Sequence, residues 1–185
     1  MINYDEALNL LKKYMKNKNL IKHCIAVGAC MEGLAKKFGE DEKKWKIAGL
    51  LHDIDYEMMK DNFDEHGLKG AEILKEEGID DEEILNAIRR HPGHPGYEPS
   101  EKIDWALYSS DPLTGLIVAA TLMHPSKKLK EVDLRFVKKR FKEKRFAAGA
   151  NREQIKQCEK LDLELDEFIE ICLKSMQGVS DELGL

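Results

Sequence analysis

Six side chains of the kinds that hold divalent metal ions are spread along this chain: His23, the adjacent pair His52-Asp53, His66, His91 and Asp111. Neutral imidazole and carboxylate are ligands that divalent iron, manganese, cobalt and zinc accept. Six such donors would fill most of a coordination sphere and leave room for water, provided they converge. Each has an ordinary structural alternative. An inward histidine can hydrogen-bond a backbone carbonyl, and Asp111 directly before Pro112 has the pattern of a helix N-cap followed by proline at the first helical position. The pair His52-Asp53 is the most informative. Neighbours in a helix diverge by about 100°, so both reach one ion only where the turn opens, and the two oxygens of Asp53 could then bridge to a second ion.

Convergence depends on the elements that carry these residues. Apolar residues recur at helical spacing from end to end, and no segment alternates strictly as a half-buried strand does, so the chain is expected to be all-α. A first helix follows Asn3, with Glu6 reaching back to close a capping box. A second runs from after Asn19 to Phe38, stopped by Gly39, and places His23 with Val27, Cys30 and Leu34. The third starts after Asp41 and aligns Trp45, Ala48, Gly49 and His52, its small residues allowing a close helix approach. A short helix is expected from Tyr56 to Asn62, and another after Asp64 carries His66 to a stop at Gly78. The next is capped by Asp80 with Glu83 and puts His91 on the stripe of Ile84, Ala87 and Ile88. Three of the five prolines then mark a loop from His91 to Pro99. Ser100 caps a segment to His124 that Pro112 kinks or splits. Asn151 with Gln154 starts a further helix, and Leu165, Phe168, Ile169, Cys172 and Met176 form the inner face of the last.

At 185 residues, 42% hydrophobic and 35% charged, the chain has the size and balance of one soluble domain. It shows neither a basic leader nor a run of ~18 apolar residues, which predicts a cytoplasmic protein without membrane contact. Cys24, Cys30, Cys158 and Cys172 lack CxxC spacing and read as small core residues. The net charge of −5 conceals a basic stretch from Lys127 to Arg145, either a solvated helix face or a patch that attracts an anionic substrate. No nucleic-acid-reading motif accompanies it, so a nucleic-acid partner is not expected.

Taken in order, His23, His52-Asp53, His66, His91 and Asp111 resemble the ligand set of the HD superfamily of metal-dependent phosphohydrolases. The stretch Ala48-Gly49-Leu50-Leu51-His52-Asp53-Ile54 is similar to that family's signature. The likeness continues through His66-Gly67-Leu68-Lys69-Gly70-Ala71, Ala87-Ile88-Arg89-Arg90-His91 and Ser110-Asp111. It is closest to the six-ligand dinuclear branch that includes symmetric diadenosine tetraphosphate hydrolases. The segments Asp111-Pro112-Leu113-Thr114-Gly115-Leu116-Ile117 and Arg145-Phe146-Ala147-Ala148-Gly149-Ala150-Asn151-Arg152 also resemble a functionally unassigned hydrolase subgroup.

The resemblance implies an HD-type helical bundle, a single domain over 1–185 with its core at 20–125 and a C-terminal helical extension at 126–185. It implies that His23, His52, Asp53 and Asp111 hold one ion, while His66 and His91, with bridging Asp53, hold a second. One or two divalent ions (iron, manganese, cobalt or zinc) would then supply a metal-bound hydroxide to attack a small phosphorylated metabolite, a nucleotide in particular, with His52 and Asp53 at the catalytic centre. Many members carry a lysine two positions after the His-Asp pair, where this chain has Asp55 followed by Tyr56. Asp55 could hydrogen-bond a ligand histidine, accept a proton or bind a sugar hydroxyl. Lys69, Arg89, Arg90 or Arg145 could replace the missing cation, and His94 could touch substrate; Lys69, His94 and Arg145 are expected to contact the substrate. Two alternatives stand beside the hydrolase: a mixed-valence di-iron oxygenase of the same superfamily, and a non-catalytic module that binds a nucleotide or a protein.

Overall fold

The fold is known from a computed structural model that describes residues 2–185. Ten helices and three short 3-10 turns make up its regular structure, with no strand among the described residues. Helix α1 (Tyr4–Tyr14) begins with the capping box of Asn3 and Glu6. Helix α2 (Lys18–Phe38) begins two residues earlier than its apolar pattern suggests, because the Asn17 side chain, not that of Asn19, accepts from the first backbone N–H groups. It ends at Gly39, whose φ of +70° is the left-handed cap a glycine supplies most readily.

Helix α3 (Glu42–Leu51) packs along α2 where two glycines meet. A Cβ on Gly49 would lie 2.9 Å from Gly28 Cα, so the two backbones touch directly. That contact seats the C-terminal end of α3, and hence His52-Asp53, against the middle of α2. Residues 56–62 do not form the expected helix. Tyr56 and Met58 bond back to the carbonyls of Asp53 and Asp55 in successive turns, and a 3-10 turn follows at Phe63–Glu65. His66 lies outside the following helix, because Gly67 at φ +80° breaks the backbone before α4 (Leu68–Glu76).

Helix α5 (Glu82–Arg90) is capped by Asp81, one residue beyond the expected Asp80, and His91 closes its C-terminus. After the proline-rich loop, α6 (Lys102–Met123) starts from a Glu101–Asp104 capping box rather than from Ser100. It continues through Pro112, so Asp111 is mid-helix and not an N-cap. Proline removes the N–H that would bond four residues back. The carbonyl so released, that of Tyr108, accepts instead from Gln154 Nε2 at 2.8 Å.

The remaining helices are α7 (Leu134–Lys142), α8 (Arg152–Lys156), α9 (Leu165–Gly178) and α10 (Ser180–Leu183). Helix α9 lies along α2, burying Phe168, Ile169, Cys172 and Met176, with Cys30 Sγ donating to the Cys172 carbonyl. All four cysteines are free and buried. Among the described residues, no helix is long and apolar enough to cross a membrane.

Candidate metal centre

Five elements bring the six residues together. His23 comes from the first turns of α2, His52 and Asp53 from the end of α3, His66 from the turn before α4, His91 from the end of α5 and Asp111 from the middle of α6. Asp53 lies at the centre. Its Oδ1 is 3.3 Å from His52 Nε2, 3.2 Å from His66 Nε2 and 3.4 Å from His91 Nε2, while its Oδ2 is 3.7 Å from His23 Nε2. Asp111 Oδ1 stands 3.0 Å from His23 Nε2 and 3.7 Å from His52 Nε2.

The other ring nitrogens fix the tautomers. His52 Nδ1 donates to the Gly49 carbonyl, His91 Nδ1 to the Ile88 carbonyl and His66 Nδ1 to Asp55 Oδ1, all acceptors only. The Thr114 hydroxyl donates to the Asp111 carbonyl and therefore accepts from His23 Nδ1. Each Nδ1 thus carries a proton, and in the neutral rings all four Nε2 lone pairs face inward. His66 Nε2 and His91 Nε2 are 3.1 Å apart, and His52 Nε2 is buried without a hydrogen-bond partner. Lone pairs held this close repel unless a cation lies between them.

Divalent ions fit this arrangement. Two groups, His23-His52-Asp53 and Asp53-His66-His91, each have ligand atoms within 4.8 Å of one another, with Asp53 in both. Ligands about 2.1 Å from an ion are separated by roughly 3.0–3.4 Å along octahedral or tetrahedral edges, close to the spacings here. Without an ion, protons take up the negative charge. Burial opposes protonation of His52, but Asp53 and Asp111 outweigh it and raise its pKa to about 9. Burial likewise lowers and Asp53 and Asp55 raise that of His66, again to about 9. His91 is pushed down by burial and by the neighbouring His52 and His66. Burial disfavours the charged form of Asp53 and Asp111, yet the surrounding histidines hold both carboxylates well below their ordinary range.

Asp55 has a defined task. Fully buried, it accepts from His66 Nδ1 through one oxygen and from the N–H groups of Gly67 (2.8 Å) and Gly70 (2.9 Å) through the other. It therefore orients His66, as carboxylates commonly orient ligand imidazoles. It does not line the cleft.

The centre opens through His23 and Asp111, each about a quarter exposed, into a cleft of about 480 Å3. Tyr56, Phe63, Pro92, Gly149 and Gln154 are among its other walls, and no lysine or arginine lines it. Lys69 points instead to Glu72, at 2.8 Å, and Arg145 is exposed away from the lining. Arg89 and Arg90 pair with Glu82 and Asp104. His94 is at the rim, donating to the His66 carbonyl, with its ring edge-on to Phe63. Sequence reasoning passed over Thr114, Gln154 and Arg152 in these roles. Arg152 donates to the carbonyls of Phe146, Ala147 and Ala150, folding the small-residue segment so that Gly149 reaches the cleft. Its proximity to alanine and glycine was visible, but nothing in the pattern assigned it those carbonyls.

The family model for the HD domain matches residues 20–133 of the chain. An uncharacterized protein of Methanocaldococcus jannaschii is 32% identical over 174 residues, covering 90% of this chain and 98% of that protein. Ribonuclease Y of Lawsonia intracellularis is 34% identical over 105 residues, covering 57% of this chain but only 20% of the ribonuclease. The symmetrical bis(5'-nucleosyl)-tetraphosphatase of Bacillus subtilis is 32% identical over 123 residues, covering 55% of this chain and 66% of that enzyme. No solved structure matches.

Proposed function

From the premise that the chain belongs to the HD-domain family of metal-dependent phosphohydrolases, we propose that it hydrolyses an ester or anhydride bond of a small phosphorylated metabolite, a nucleotide in particular. The observation that carries this reading is the convergence of four imidazole Nε2 atoms and two carboxylates at the floor of an open cleft.

In this reading His23, His52, Asp53 and Asp111 hold one divalent ion, and His66 and His91, with Asp53, hold the other. Such ions, when bound, lower the pKa of water toward neutrality and offset the charge that develops on a phosphoryl group. The protein's own residues do the positioning. Gly49, Ile88, Asp55 and Thr114 fix the four rings by accepting from Nδ1. The shared Asp53 carboxylate sets the spacing of the two ligand groups. Burial of His52, His66 and His91 excludes water from all but the His23–Asp111 side, so the substrate phosphate approaches from there. Because the cleft lacks a lysine or arginine, phosphate binding depends on the ions themselves.

The test is a screen for phosphate release by protein stripped of metal and reloaded separately with iron, manganese, cobalt or zinc, with dioxygen consumption followed in parallel. Metal-dependent phosphate release, lost in Asp53→Ala, supports the hydrolase. Dioxygen consumption without phosphate release transfers the reading to the oxygenase branch.

A further inference from the structure

A smaller cleft of about 260 Å3 adjoins the metal cleft. Gln154 lines both, and Tyr108, on the wall of the smaller one, lies one helical turn before Asp111 on α6. Its other principal walls are Trp105, Gly93, Glu98 and Asn151. Whole small-molecule sites occupy roughly 300–1,000 Å3, so a space of this size takes one part of a ligand whose remainder lies elsewhere.

Its chemistry differs from that of the metal cleft. Trp105 and Tyr108, both half-buried, present two rings edge-to-face with centroids 6.0 Å apart. Gly93, at φ +72°, brings the loop backbone so close that a Cβ there would lie 2.9 Å from the Tyr108 ring, which fixes that ring in place. Gln154 uses one amide N–H on the Tyr108 carbonyl and keeps the other, with its oxygen, for a ligand. Asn151 spends its oxygen on the first N–H groups of α8 and keeps its amide N–H for an acceptor. Glu98 uses one oxygen to accept from Gly96 and retains the other. The lining includes Glu98 and Glu153 and no cation, so the cleft rejects phosphate. Flat aromatic walls, with free amide N–H groups on Asn151 and Gln154 and free acceptors on Gln154 and Glu98, suit a neutral, planar heterocycle that carries both N–H groups and ring nitrogens.

We propose that this cleft is a nucleobase subsite: a nucleotide with its phosphate at the metal centre lays its base against Trp105 and Tyr108, with Gln154 between the two compartments. This rests on the phosphohydrolase reading for the placement of the phosphate, but not for the binding of the base. Of the two tryptophans, Trp45 is 1% exposed in the core, so Trp105 is the accessible fluorophore.

The experiment titrates the full chain with adenosine and guanosine, which carry no phosphate, and with ribose as the control, following tryptophan emission. Saturable quenching by a nucleoside but not by ribose is expected, with affinity about tenfold weaker in Tyr108→Ala, the scale of one lost base–aromatic contact. In the metal-loaded enzyme, Trp105→Ala is expected to raise KM for a nucleoside monophosphate about tenfold relative to KM for glycerol phosphate. Nucleoside binding in a protein that hydrolyses no phosphate ester would support the subsite and sink the hydrolase. Hydrolysis of phosphate esters with no nucleoside quenching would overturn the subsite and leave the hydrolase standing. A nucleotide KM that rises in Phe63→Ala and not in Trp105→Ala would place the base at the rim of the metal cleft and overturn it as well.

Discussion

Replacing Asp55 by asparagine sets two demands against each other. The carboxylate accepts on both sides, from His66 Nδ1 at 2.9 Å and from the Gly67 and Gly70 N–H groups at 2.8 and 2.9 Å. An amide has one accepting oxygen. If that oxygen serves His66, the amide NH2 faces two backbone donors, and two buried N–H groups lose their partner at about 1–3 kcal/mol each. If it serves the glycines, the NH2 faces His66 Nδ1 and favours the tautomer protonated at Nε2, the atom aimed at Asp53. In the first case the protein is destabilised by roughly 2–6 kcal/mol; in the second, affinity at the His66–His91 side falls by about 10–100-fold, the scale for loss of a carboxylate that supports a ligand histidine. Metal affinity by competition with a chelator and urea unfolding of the metal-free protein separate the two. A variant matching wild type in both would refute the role assigned to Asp55.

Three further outcomes follow from the same geometry. Because His52 and His66 have pKa values near 9 in the metal-free site, metal binding at pH 7 should release about two protons, fewer as pH approaches 9; calorimetry in buffers of different ionisation enthalpy counts them, and no release at pH 7 would contradict the charged state assigned to these two rings in the metal-free site. These two folded-state pKa values lie above the unfolded value of 6.5, so their stabilisation is fully present below pH 6.5 and is lost as pH rises through 9. Thermal midpoints in chelator should therefore fall over that window, while those of metal-loaded protein stay level; parallel profiles would sink this assignment. Gly49→Ala would force α2 from α3, since the new Cβ meets Gly28 Cα at 2.9 Å and Met31 Cγ at 2.8 Å. A loss of about 1–3 kcal/mol is expected from urea unfolding, with weaker metal binding because His52 lies one turn on; a change within about 0.5 kcal/mol would show that the contact is not tight.

That the six candidate residues come together was legible because helical stripes placed His23, His52 and His91 on inward faces, and the structure brings them to one place around Asp53. The caps of α1 and α3, the stop at Gly39 and the loop from His91 to Pro99 were equally readable, since each depends on a few neighbouring residues. Features that depend on distant partners were not. Asp111-Pro112 has the local form of a cap, but α6 continues through it because Gln154, over forty residues away, satisfies the carbonyl that proline orphans. The stretch 56–62 turns instead of forming a helix, and the Asp55 side chain just before it bonds residues beyond that stretch. Lys69 and Arg145 carry the charge a phosphate needs, but long flexible side chains give no pattern for their direction, and neither lines the cleft. The expectation of a cation in the cleft thus gives way to a centre whose positive charge would come from ions.

The most direct measurement is metal content by elemental mass spectrometry on protein prepared without a histidine tag, for wild type, His66→Ala and His91→Ala. The two-ion centre predicts about two transition-metal equivalents in wild type, falling toward about one in each variant as the Asp53-His66-His91 group loses a ligand. Wild-type protein that arrives metal-free and binds no added iron, manganese, cobalt or zinc would contradict it.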